Sequence, residues 1–143
     1  MIRLADIPVL IALADPRHVH HVAARRWLVS RPDMGLATCP LTESGFLRIY
    51  GHPSYPHGPG SPEKALMDLR AYRARRGHHF LPCDLSLSDP MFTSLAGLAP
   101  QRVTGIYLVA LALKYGIRFA TFDANLPTSL VARGSHAVDV IPV

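Results

Sequence analysis

Short apolar runs and longer amphipathic stretches take turns along this chain. Ile2 to Ala5 is compact and apolar enough for a strand. Pro8 to Ala14 follows as a short helix, because proline fits a first helical turn without losing a needed hydrogen bond. Asp15-Pro16 breaks the chain. His18 to Val29 then repeats its apolar residues at helical spacing, which predicts an amphipathic helix with Val19, Val22, Ala23 and Trp27 on one side and Arg25 towards water. Gly35 to Cys39 predicts a second strand and Leu41 to Tyr50 a helix. Glycine, proline and histidine crowd Gly51 to Gly60, the composition of a surface loop. Ser61 stands where a helix cap belongs, with Pro62 at the first position and Glu63 near the positive end of the dipole. That helix runs to about Arg76, with Ala65, Leu66, Leu69 and Tyr72 inward and Arg70, Arg73 and Arg76 outward. His79 to Pro82 reads as a short strand. Val103 to about Tyr115 is apolar almost all round, which predicts a central helix ended by Gly116. Arg118 to Phe122 and Ala137 to Ile141 complete the strands.

Mostly apolar strands alternating with helices predict an α/β fold, a parallel sheet covered by helices on both faces. The 143 residues suit one domain, spanning 1–143, and are too few for two good cores. With 49% hydrophobic and 17% charged residues the chain has the composition of a well-buried globular protein. There is no internal repeat.

The longest apolar stretch, Ile106 to Leu113, is far too short to span a membrane, and no signal-peptide pattern opens the chain. Cys39 and Cys83 belong to no C-x-x-C pair and read as free thiols in a reducing, cytoplasmic setting. The formal charge of +5 favours partners that carry phosphate, by raising the local potential they meet. Arg70, Arg73, Arg75 and Arg76 form either an RNA-facing strip or a solvated helix face.

Ligands of open parallel sheets bind outside the carboxyl ends of the strands. Three acids fall there: Asp6 ends the first strand, Glu43 opens the helix after the second, and Asp123 follows Phe119-Ala120-Thr121-Phe122. Gathered together they would repel one another, and a hard, oxygen-seeking cation such as Mg²⁺ or Mn²⁺ would relieve that repulsion. The competing reading is that each acid caps a helix or pairs with an arginine.

The local sequences carry more information than the spacing. Leu4-Ala5-Asp6-Ile7-Pro8-Val9-Leu10-Ile11-Ala12-Leu13 resembles the opening of PIN-domain ribonucleases, particularly the VapC-like toxins of bacterial toxin–antitoxin pairs. Thr38-Cys39-Pro40-Leu41-Thr42-Glu43-Ser44-Gly45-Phe46-Leu47-Arg48-Ile49 resembles the second acidic segment of that family. Val103-Thr104-Gly105-Ile106-Tyr107-Leu108-Val109-Ala110-Leu111-Ala112 is similar to the third, and Phe119-Ala120-Thr121-Phe122-Asp123 to the fourth. The four segments stand in family order across nearly the whole chain. The resemblance implies a PIN-like fold and a Mg²⁺- or Mn²⁺-dependent endoribonuclease, partnered by RNA, by a cognate antitoxin protein and by a second copy of itself in a homodimer. Asp6, Glu43 and Asp123 would be its catalytic, metal-holding acids. Arg48 would contact a phosphate or anchor a carboxylate, and Thr121 would bond to Asp6 or to a water ligand.

The chain departs from the family pattern twice. Gly105 stands where the family usually has an aspartate after Val-Thr, and Pro8 where it usually has an asparagine. A missing carboxylate removes a ligand and a negative charge, so metal affinity is expected to fall. The alternative function is therefore a weakened PIN domain that binds RNA or a protein without cutting. Asp84 or Asp89, before the central helix, are the acids at hand to fill the vacancy. His18-Val19-His20-His21 puts two histidines on one predicted helical face but has no third zinc ligand at a recognisable spacing. Thr42-Glu43-Ser44-Gly45 lacks the glycine pattern of a nucleophile elbow, and Gly58-Pro59-Gly60-Ser61 lacks the lysine of a phosphate-binding loop.

Overall fold

The computed structural model describes all residues, 1–143. Five strands lie in one sheet: β1 (Ile2–Ala5), β2 (Gly35–Thr38), β3 (His79–Phe80), β4 (Arg118–Thr121) and β5 (Val138–Val140). Their spatial order is β3-β2-β1-β4-β5 and every pairing is parallel. Five α-helices complete the fold: α1 (Ile7–Ala14), α2 (His21–Val29), α3 (Pro40–Tyr50), α4 (Pro62–Ala74) and α5 (Val103–Lys114). The expected α/β architecture is the one observed.

Alternation along the strands divides the core into two layers. Leu4, Ala37 and Phe119, side by side in register, face α5, whose residues Ile106 to Ala112 are all buried. Ala5, Leu36 and Ala120 face the other way, onto α1, Trp27, Phe46, Ala65 and Leu69. A helix apolar all round, as α5 is, needs cover on every side, and the C-terminal segment supplies the remainder through Val131 and Ala137. Its end is fixed by Gly116, at φ 67°, where Ile117 N–H reaches back to the Ala112 carbonyl.

Helix starts follow the predicted chemistry. Asp6 caps α1 and Ser61 caps α4, each accepting a backbone N–H, and Pro8, Pro40 and Pro62 sit in first turns. Gly51 to Gly60 is loop throughout. In α4 Ala65 and Leu69 are buried, while the Tyr72 hydroxyl donates to the Leu10 carbonyl, tying α4 to α1. Cys39 and Cys83 are both free thiols. No helix is long and apolar enough to cross a membrane.

The stretch expected as one helix from His18 is corrected. Its first residues are tight turns, in which His18 N–H reaches the Asp15 carbonyl and His20 N–H bonds to His18 Nδ1, so α2 starts at His21. The buried face is Ala24, Trp27 and Leu28. Val19 and Val22 are 84% and 67% exposed, contrary to the apolar side expected of them. Helical phase is set by Trp27, which docks under the sheet with its indole N–H turned to Asp139, and that rotation turns Val22 to solvent. His18 and His21 consequently share no helical face. β3 is also shorter than expected, because Pro82 has no N–H to extend the ladder beyond the Leu81 bond to Thr38.

Gly45 is where α3 comes closest to α1: a Cβ there would run into the Ile7 side chain. Gly45→Val should therefore cost about 1–3 kcal/mol of stability in urea unfolding, the usual range for overpacking. Gly105→Ala meets only the tip of Leu126 and should change stability by less than about 1 kcal/mol.

Candidate functional site

The chain lays down β1, β2 and β3 outward in one direction, then returns to place β4 and β5 on the other side of β1. This reversal leaves a crevice between the carboxyl ends of β1 and β4, the place where ligands of open parallel sheets bind. A cleft of about 530 Å³ occupies it, lined by Asp6, Thr121 and Asp123 from the sheet edge, Arg102 and Gly105 from the start of α5, and Arg48 from α3, among others.

Asp6 is held from two directions. Its Oδ1 accepts the Ile7 N–H at 2.9 Å as the cap of α1, and its Oδ2 accepts the Thr121 hydroxyl at 2.7 Å. The same Thr121 oxygen accepts the Asp123 backbone N–H at 3.1 Å, so one buried hydroxyl sets the spacing of both aspartates. Burial pushes the Asp6 carboxyl up to about 6; its two hydrogen bonds pull the other way, and the Asp123 charge adds to the rise. Asp123 behaves oppositely. Arg102 grips it with both prongs, Nε to Oδ2 at 2.8 Å and Nη2 to Oδ1 at 3.2 Å, and this guanidinium holds the carboxyl below its usual range. Arg102 is a residue the sequence reading missed.

Arg48 lines the same cleft and makes no ion pair or side-chain hydrogen bond. Phe122, His18 and His20 form an aromatic edge beside it, with the His20 and Phe122 rings 4.9 Å apart. His18 Nδ1 accepts a backbone N–H, which leaves Nε2 as the protonated nitrogen of the neutral ring.

Glu43 does not line this cleft. It follows β2, on the far side of β1 from the crevice, and its Oε2 accepts the Thr38 hydroxyl at 2.7 Å and Arg73 Nη1 at 3.1 Å. His78 Nε2 lies 2.9 Å from the same Thr38 oxygen, while the Arg73 guanidinium also covers the Phe80 ring at 4.7 Å. Arg73 is thereby accounted for by this cluster. No three His, Cys, Asp or Glu side chains come together closely enough to hold a metal, so the gathering of three acids expected from the sequence is not what the fold presents.

Asp84 and Asp89 are not in reach of the Gly105 place. Asp84 bonds Tyr115 and Lys114 at the opposite end of α5, roughly 15 Å along the axis at 1.5 Å per residue, and Asp89 caps the turn at Met91. His21 Nδ1 lies 2.6 Å from the Ala12 carbonyl, a structural role for that ring.

A folded-state value for Asp6 above its unfolded one means that the native protein holds the extra proton. Stability from this group is fully present below about pH 4 and is lost as pH rises through about 6. In EDTA, Asp6→Asn should be more stable than wild type at pH 7.5 by about 2 kcal/mol, with the gap closing towards pH 4 in denaturant titrations.

No family model matches the chain. Individual relatives do. Ribonuclease VapC39 of Mycobacterium tuberculosis is 41% identical over 137 residues, covering 92% of this chain and 96% of the relative. Ribonuclease VapC38 of the same organism is 36% identical over 140 residues, 98% of each protein, and Ribonuclease VapC44 is 37% identical over 129 residues, 90% of each. At this identity and coverage, the chain belongs to the VapC ribonuclease family of PIN-domain toxins.

Proposed function

We propose that the chain is a Mg²⁺- or Mn²⁺-dependent endoribonuclease, the toxin of a toxin–antitoxin pair, folded as one PIN-like domain over residues 1–143 and working in the cytoplasm. The observation that carries this reading is the Asp6–Thr121–Asp123 unit facing the crevice at the switch point of the sheet. The Asp123 charge adds to the cost of ionising Asp6, and a divalent cation would relieve that cost, with water completing its shell. Such an ion supplies Lewis acidity and an activated water. Asp6 and Asp123 hold it in this proposal, and Thr121 keeps Asp6 turned to the cleft. Glu43 acts from the neighbouring Thr38–Arg73 cluster, as a ligand only if it leaves Arg73.

The remaining residues suit a nucleic acid. Arg48, charged and unpaired, binds a backbone phosphate, and an unpaired base stacks on the Phe122 edge. The cognate antitoxin and a second copy of the chain are its protein partners.

A second reading, an RNA-binding domain that does not cut, is favoured by a specific feature: the start of α5 offers Gly105 where the family carries an acid. One set of assays separates the two. Wild type with Mn²⁺ should cleave a structured RNA, and both EDTA and Asp6→Asn should lower the rate at least a hundredfold. An EDTA-resistant activity would remove the metal-dependent reading. Gly105→Asp should bind Mn²⁺ more tightly and cut faster; equal cleavage by the two proteins would remove the second reading.

A further inference from the structure

Pro100 to Arg102 is a single turn that runs straight into α5, and Gln101, Arg102, Thr104 and Gly105 of this stretch line the cleft. At 105 there is no carboxylate. At 102 there is a guanidinium, three residues earlier in the same stretch and bonded to Asp123 by two nitrogens. Where the family pattern places a third negative charge, this turn supplies a positive one. The fixed charges lining the cleft are then Asp6 and Asp123 against Arg48 and Arg102, which sum to zero rather than to the strongly negative field that attracts a divalent ion.

We infer that Arg102 is the built-in counter-ion of this cleft: it occupies the Asp123 carboxylate in the metal-free protein and competes with a divalent cation for it. The inference rests on the reading that Asp6 and Asp123 hold that cation. Geometry supports competition. The Arg102 grip uses both Asp123 oxygens, and Oδ1 additionally accepts the Asn125 N–H at 3.0 Å, so an incoming cation meets two oxygens that are already partnered and a positive charge beside them. The grip is also reversible: Arg102 and Asp123 side chains are 40% and 30% exposed, and water can take over from either partner. Arg102 is thus a positioning residue that sets metal affinity, rather than one that touches substrate.

Calorimetric titration of the folded protein with Mn²⁺ tests this. Arg102→Gln should bind Mn²⁺ about fivefold to tenfold more tightly than wild type, and Arg102→Lys, which has no fork, should fall between them. In an Asp123→Asn background the Arg102→Gln gain should vanish, because the contested carboxylate is gone. A direct readout is the Arg102 Nε–H resonance, which should leave its hydrogen-bonded position when Mg²⁺ is added to wild type; a merely structural arginine would stay. Unchanged or weaker Mn²⁺ binding in a folded Arg102→Gln protein, or no Mn²⁺ binding by any of the proteins, overturns the inference. Its failure is separable from that of the nuclease reading. EDTA-sensitive cleavage with unaltered Mn²⁺ affinity in Arg102→Gln sinks the counter-ion alone. Tightened binding without cleavage sinks the nuclease alone.

Discussion

One hydroxyl organises this end of the molecule. Thr121, buried at the last position of β4, donates to Asp6 and accepts from the backbone of Asp123. Asp6 in turn caps α1, so a single short chain of hydrogen bonds joins two strands, a helix and two acids. A buried carboxylate needs such partners to persist. Because the hydroxyl is already committed in both directions, the two aspartates cannot drift apart without leaving polar groups unpaired. The spacing of the crevice is therefore a property of the sheet rather than of any bound ligand.

Charge balance at the carboxyl edge is reached by a different device on each side of β1. Towards β4, Asp123 is answered by Arg102; towards β3, Glu43 is answered by Arg73 and the Thr38 hydroxyl. Asp6 sits between and has no arginine, and burial raises its proton affinity. The contrast follows from burial: an acid near solvent can recruit a long cationic side chain, whereas one beneath the sheet edge is reached only by a short hydroxyl and a backbone amide. Like charges close together are thus tolerated by proton, guanidinium and hydroxyl, each in a different place.

Much of the fold was legible because each element carried its own punctuation. Asp6, Ser61, the prolines of three first turns and Gly116 mark helix ends through local hydrogen bonding, and period-two and helical patterns identify most of the elements between them. The start of α2 was not legible, since the His18 ring bonding to the His20 amide competes locally with helix, and helical phase was set by the distant docking of Trp27. At the site, Asp6, Thr121 and Asp123 share one cleft, at the strand ends where the sequence puts them, and Arg48 reaches the same cleft from the last turn of α3. Glu43 does not, because its carboxylate is taken up by the Thr38 hydroxyl and by Arg73, a partner 30 residues further along that local sequence does not reveal. Arg102 escaped for a related reason: its partner is 21 residues away across a helix and a strand, a pairing that only the closed sheet creates.

Gly105 has a meaning beyond the present charge balance. Its α-carbon looks onto the flexible end of Leu126 rather than onto backbone, so the start of α5 admits a β-carbon with only a small adjustment. Changing the middle base of any glycine codon can give an acidic one, for aspartate or for glutamate. The surrounding core has not closed over the position: an acidic residue lies within one mutational step, and its β-carbon would meet only the movable end of Leu126. The absent carboxylate is in that sense a heritable setting, held open by the shape of its neighbour.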